Sequence, residues 1–484
     1  MYSPSILLVF AVAPFANSRT VHSVLVFSRH GDRTAKLYES YNMTNLGANQ
    51  VYNSGDFYRR RYLVDGVADQ IAGISPEIVN ASQLYASAPD QDILLQTASL
   101  FLQGLYPPLS DTLDTESLVN GTDVSAPLDG QQYILVHGED TNSPDTIWIK
   151  GDNACPAYSN ASETYELSAD YAATLAASAT LYTSVEPLLT DILGPGNVSY
   201  ANAYDVFDLL NVASIHNATV APDIASSDLD QLRYYADEWE WNHNFNASQP
   251  DRSIGGMAFA GGILRQLDSV VAGSADVKFS LLAGSYDTFI SFFGLTNLST
   301  TSLNFTGLPV YASTMAFELF TAADGDTFPA TPDTDLRVRF LFRNGTDPSE
   351  DLIAYPLWGE TAEDYAYGDF KSRLGARAIN DVATWCTTCD SPAYFCVAEA
   401  ADNKTANAVA AAKEDDTGLS SAAASGIGVA VAVVVMLMIG GLVAFLMRRK
   451  SNRARAATSR PTFPSSNVEM VEGTQSSRAQ ISPA

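Results

Sequence analysis

The stretch Val26–Lys36, "VFSRHGDRTAK", sets two arginines and a histidine within five residues, in a chain holding 55 acids against 27 bases. Just upstream, Ser23–Ser28 centres on "VLVF", the signature of a short, fully buried strand of the parallel type. Ligands of open α/β sheets bind beyond the carboxyl ends of such strands, and Arg29 to Arg33 fall at that end. A neutral imidazole is favoured between two guanidinium groups, so His30 is expected to remain nucleophilic in mildly acidic surroundings. The same guanidinium groups are suited to gripping a phosphoryl group. On an ordinary loop, Arg29 and Arg33 would simply pair with Asp32 and other acids, so the stretch needs support from the rest of the chain.

Composition supplies the outer bounds. At 484 residues, with 46% apolar and 17% charged residues, the chain can bury a large core, as one domain with an insertion or as two domains. A formal charge of −28 argues against nucleic acid as a partner. Ile6–Ala16 is a short apolar run followed by small residues, which suits a secretory signal over 1–18, although the usual basic n-region is missing. Ile427–Met447 contains no charged residue and is long enough for the roughly 30 Å hydrocarbon core, so a membrane helix is expected over 425–447. Arg448, Arg449 and Lys450 follow at once. The positive-inside rule then places a disordered tail, 448–484, in the cytosol and the rest outside, as in a single-pass type I protein of the plasma membrane or cell surface.

Eleven N-x-S/T sequons, from Asn42 to Asn403, all precede that span, which fits a glycosylated ectodomain. Cys155, Cys386, Cys389 and Cys396 agree with an oxidising compartment and two disulfides, for which three pairings are possible. A zinc site on Cys386 and Cys389 is the weaker alternative, since no second C-x-x-C or paired histidine is near.

Strand and helix alternate along the ectodomain, 19–397. A helix is expected over Asn45–Leu63, a strand around Gln83–Ala86, and a helix from Asp90 to Leu105 stopped by Pro107 and Pro108. Residues 109–272 read as an insertion of polar loops and helices covering the sheet. The α/β pattern resumes with a strand at Val277–Gly284 and a helix from Thr288 to Leu295. Leu308–Phe320 and Leu336–Gly345 read as antiparallel neighbours, and one helix, Tyr367–Trp385, closes the body before a stalk over 398–424.

"SRHGDRT" (Ser28–Thr34) resembles the R-H-G-x-R-x-P signature of the histidine acid phosphatases, in the phosphoglycerate mutase-like superfamily. Three further blocks are similar in order: "TNLGANQVYNSGDFYRRRY" from Thr44, "FLQGLYPP" from Phe101 and "LLAGSYDTFISFFG" from Leu281. The segment from His137 to Pro156 sits where that family has its central strand and a disulfide cysteine. The likeness spans Val21 to Cys396. It implies a doubly wound α/β sheet with a mostly helical insertion, and phosphomonoester hydrolysis through a phosphohistidine on His30. It further implies that Arg29 and Arg33 hold the phosphoryl oxygens, that Asp287 protonates the leaving alcohol, and that no metal or organic cofactor takes part. The partner would be a small phosphate ester or another anion.

Two family ligands are replaced. Tyr286 stands where the family has the histidine of its H-D pair, and Ser87 stands where it has a further arginine; Ala35 replaces the motif proline. Loss of one preorganised donor commonly costs roughly 10²–10³ in rate, so a slow enzyme is one expectation. The alternative is a catalytically degenerate surface glycoprotein that keeps an anion pocket. The Tyr286 hydroxyl remains a possible phosphate donor, and Arg59, Arg60 and Arg61 are possible substitute cations, though a structural helix end explains them more simply. His22, His137, His216 and His243 stand singly without metal-ligand spacing. Trp239 and Trp241 read as helix packing. The whole reading requires His30 and Asp287 to meet at one edge of the sheet.

Overall fold

The computed structural model describes residues 19–38, 40–109, 115–273, 276–323 and 327–398. The expected signal segment, the membrane helix, nearly all of the stalk and the cytosolic tail lie outside those residues. Among the described residues no helix is long and apolar enough to cross a membrane.

Ten strands occur among the described residues: β1 (Thr20–Arg29), β2 (Leu84–Pro89), β3 (Thr115–Ser117), β4 (Asp123–Ser125), β5 (His137–Glu139), β6 (Phe279–Gly284), β7 (Thr314–Thr321), β8 (Leu336–Arg343), β9 (Ile353–Ala354) and β10 (Asp364–Ala366). The main sheet runs β10-β8-β7-β1-β6-β2-β5, with β9 on β8. It is mixed. β1, β6, β2 and β5 are mutually parallel, whereas β7 pairs antiparallel with both β1 and β8. The segment expected to carry a central strand therefore supplies an edge strand, β5, of only three residues.

Helices follow in the order α1 (Asn45–Tyr62), α2 (Asp92–Leu105), a one-turn α3 (Pro127–Gly130), α4 (Pro156–Glu163), α5 (Ala169–Leu193), α6 (Ala203–His216), α7 (Ser226–Asn244) and α8 (Ile254–Val271). After β6 come α9 (Tyr286–Leu295), a one-turn α10 (Pro332–Asp335), α11 (Tyr367–Gly375) and α12 (Val382–Cys389). Alternation along β1 builds both cores at once. Val24 and Val26 pack with Val51, Tyr58 and Phe101 of α1 and α2. Leu25 and Phe27 face the other way, onto Phe259 of α8 and Phe289 of α9. Helices on both faces make the sheet doubly wound.

α8 packs in the same core as β1 and α9. A distinct aromatic cluster joins α5, α6 and α7 to Tyr286 and Ile290 of α9. The single closing helix is two, because Asp381 adopts extended backbone and caps α12 by accepting from the Thr384 amide at 2.7 Å.

The cysteines pair as Cys155–Cys389 and Cys386–Cys396, which leaves no described thiol for zinc. Cys155–Cys389 closes a loop of 234 residues. Chain entropy alone assigns such a crosslink about 5 kcal/mol. Replacing both cysteines by serine is expected to lower unfolding stability by that order in a denaturant titration.

Candidate active site

The motif loop is fastened before any ligand is considered. Arg29 N–H donates to the Ser313 carbonyl at 2.9 Å, and Ala312 N–H donates to the His30 carbonyl at 2.9 Å. Thr44 caps α1 through the Gly47 amide at 3.1 Å, and its own amide donates to the Asp32 carbonyl at 3.0 Å. A Cβ on Gly31 would stand 2.2 Å from the Gly47 carbonyl oxygen, and one on Gly47 would stand 2.0 Å from that of Asp32. Both glycines are needed for the loop to lie on the start of α1. That is the structural role of the "TNLG" block. His216 Nε2 meets Asp32 Oδ1 at 2.6 Å and ties the end of α6 to the same loop.

His30 is 4% exposed. Its Nδ1 lies 2.8 Å from the Gly31 carbonyl, a contact that needs Nδ1–H as donor and leaves Nε2 bare. Burial, then Arg29 and Arg33, hold its pKa well below the ordinary histidine value, so the ring is neutral. Arg29 donates to the Pro309 carbonyl and packs on the rings of Tyr311 and Tyr286, 4.7 and 5.3 Å from their centroids. Arg33 is more committed: it donates to Asp208 Oδ2 at 3.0 Å and to the Tyr204 hydroxyl at 2.8 Å. Each guanidinium keeps a buried Nε without a partner.

β1 and β6 run side by side, with Arg29 opposite Gly284, so His30 and the start of α9 emerge at neighbouring points of one sheet edge. α9 begins at Tyr286, two residues earlier than its apolar pattern indicates, which puts Asp287 in the first turn at the positive end of the helix. The Tyr286 hydroxyl donates to Glu240 Oε1 at 2.7 Å and accepts from Lys36 Nζ at 3.3 Å. Its proton is thus already placed. Tyr286 also stacks on Tyr204, 5.0 Å between centroids.

Tyr204 lines two cavities. One, about 780 Å³, is lined by Arg29, Tyr204, Arg233 and Tyr311. The other, about 540 Å³, is lined by Lys36, Lys150, Asp152, Tyr204, Glu240, Tyr286 and Asp287. His30 lines neither. Asp287 differs most from expectation. Burial favours its neutral form, but Lys150 Nζ, 3.1 Å from Oδ2, and Lys36 outweigh burial and hold the carboxyl well below the usual carboxylate range. Asp287 therefore sits ionised even in mild acid. Burial and the Asp287 charge raise the neighbouring Asp152 to about 6, and burial raises Glu240 to about 7.

Ser87 is buried, its hydroxyl 3.1 Å from both the His137 carbonyl and Glu139 Oε1. The three consecutive arginines are engaged elsewhere: Arg59 with Glu77, Arg60 with Asp56, Arg61 with Asp69 and Glu318. Sequence reasoning passed over Lys36, Lys150, Asp152, Asp208, Glu240 and Tyr311. Lys36 ends the opening stretch, and Lys150 and Asp152 stand in "IKGDNACP" inside a matched segment, so these carried a signal. Asp208 and Glu240 carried none, because each is an acid on an ordinary helix until folding buries it.

A buried neutral histidine flanked by arginines, with carboxyls at the next parallel strand's end, combines a nucleophile with cations suited to gripping an anion. The chain matches the histidine phosphatase superfamily (branch 2) over residues 37–343, more than half its length and starting just after the motif loop. It is 23% identical to a lysosomal acid phosphatase of Xenopus laevis over 420 residues, 84% of this chain and 87% of the relative. Among solved structures it is similar to a Klebsiella sp. ASR1 phytase (TM-score 0.50, 14% identity, 75% of this chain and 96% of that one). It is also similar to a Citrobacter braakii phytase (TM-score 0.48, 12% identity, 75% and 99%). The chain belongs to the histidine phosphatase superfamily, branch 2.

Proposed function

We propose that this protein is a phosphomonoester hydrolase of the acid phosphatase type, working through a phosphohistidine on His30. The observation that carries the reading is the neutral, buried His30 with Nδ1–H fixed on Gly31, which leaves Nε2 unprotonated in the field of two cations. Arg29 holds phosphoryl oxygens. Arg33, already neutralised by Asp208, stiffens the loop and offers its Nε. Tyr286 borders the phosphoryl position, and the proton for the leaving alcohol comes from the carboxyl cluster that contains Asp287.

Sequence features place the enzyme at the cell surface, held by the apolar segment 425–447 and glycosylated on its ectodomain. Of the ten sequon asparagines among the described residues, nine are exposed and Asn246 is half-buried, which fits that placement. The substitutions at Tyr286 and Ser87 make turnover slow relative to enzymes that retain both ligands. A second reading, a binding protein with an anion pocket, is favoured by one observation: Arg29 and Asp287 line different cavities, with Tyr204 in the wall of each.

The pH profile separates the two. His30 has a depressed pKa, so it remains the nucleophile as pH falls well below the ordinary histidine value. The raised carboxyls of Asp152 and Glu240 carry protons below about 6 and 7 and lose them as pH rises. Hydrolysis of an alkyl phosphate or phytate is therefore expected to be highest near pH 5 and to fall through pH 6–7. Blank rates from pH 4 to 8, with inorganic phosphate still bound, would leave the second reading.

A further inference from the structure

We propose that Asp152 and Asp287 act as one proton-sharing carboxyl pair, braced by Lys150, and that Asp152 holds the proton that reaches the departing alcohol. This rests on the phosphatase reading and says which group supplies its acid. Lys150 Nζ lies 3.1 Å from Asp287 Oδ2 and 4.0 Å from Asp152 Oδ2, so the cation covers one oxygen of each acid. Oδ1 of each acid is buried and has no hydrogen-bond partner, a state that two carboxylates cannot relieve for each other. Ionised carboxyls only accept. A single proton between them satisfies both orphaned oxygens and removes the like-charge repulsion.

The other charged or titratable groups lining the pair's cavity are Lys36, Tyr158, Tyr204, Asp205, Glu240 and Tyr286. Glu240 accepts from Tyr286 and Asn244, and Tyr158 donates to Asn244, so the hydrogen bonds of both are made outside the pair. Lys150 and Lys36 favour the ionised member, Asp287. The proton thus rests on Asp152, and both acids line the same cavity. In the first step His30 Nε2 bonds to phosphorus, the ester P–O bond breaks, and the leaving oxygen takes the shared proton to give the alcohol. Water then bonds to phosphorus, the P–Nε2 bond breaks with its electron pair returning to His30, and one water proton goes to the pair as inorganic phosphate leaves.

Asp152→Asn keeps the size and can still donate to Asp287, but carries no transferable proton. On glycerol 2-phosphate its kcat is expected to fall by about 10² or more, the usual weight of a positioned acid. On p-nitrophenyl phosphate, whose phenolate leaves without a proton, the loss is expected to remain below about tenfold. Equal losses on both substrates would reduce Asp152 to packing and overturn the proposal. A second measurement does not depend on turnover. With ¹³C-labelled aspartate, wild-type protein should show one carboxyl titrating near 6 that is absent in both Asp152→Asn and Asp287→Asn. If every aspartate of the wild type titrates below about 4.5 the pair is refuted, whereas absent turnover with that titration intact would refute only the phosphatase reading.

Discussion

His30→Ala is expected to abolish turnover, leaving kcat lower by about 10³ or more and near the detection limit, because removal of the nucleophile removes the covalent route altogether. Wild-type protein quenched in alkali during turnover should carry an alkali-stable, acid-labile phosphoryl group on His30, and the variant none. The fold should tolerate the change. The His30 backbone makes its own bond to Ala312, and the side chain hydrogen-bonds to the adjacent Gly31. A small shift in thermal midpoint beside a complete loss of rate therefore points to chemistry. Equal rates in wild type and His30→Ala, with both folded, would remove the phosphohistidine from the account.

Tyr286→His combined with Ser87→Arg is expected to raise kcat/KM on p-nitrophenyl phosphate by about 10² or more, roughly the worth of one preorganised donor, with full additivity of the two changes not expected. Each site shows why. The Tyr286 ring lies between Arg29 and Tyr204, and its hydroxyl is spent on Glu240. An imidazole is shorter and frees Glu240 and Lys36. At position 87 the His137 carbonyl and Glu139 Oε1, both 3.1 Å from the serine hydroxyl, are ready acceptors for a guanidinium. The same Glu139 charge will draw the new arginine partly away from phosphate, which argues for the lower end of the gain. No gain in a folded double variant would show that Lys36 and Lys150 have remodelled the pocket past recovery.

Much of this was legible in one dimension. Period-two alternation and short buried runs fixed β1, β6 and α9 to within a few residues, because strands buried on both faces and helices with one apolar side leave distinct patterns. The R-H-G-x-R spacing and its position after a strand placed Arg29 and His30 at a sheet edge. Boundaries set by capping were less visible: α9 starts at Tyr286 since Ser285 takes extended backbone, and Asp381 splits the final helix pair. The central strand expected in His137–Pro156 rested on resemblance alone; β5 is an edge strand, and a run of three residues carries too little pattern to rank its place in a sheet.

By itself the sequence determined that a histidine between two arginines would follow the first strand, with an aspartate just after a later strand. Only the tertiary structure decided the charge each group carries. Arg33 is neutralised by Asp208, Asp287 by Lys150, and the Tyr286 proton goes to Glu240, through partners 46 to 175 residues away in the chain. Protonation depends on burial and on charges within a few ångströms. Spacing along a chain holds no record of either until folding brings those partners together.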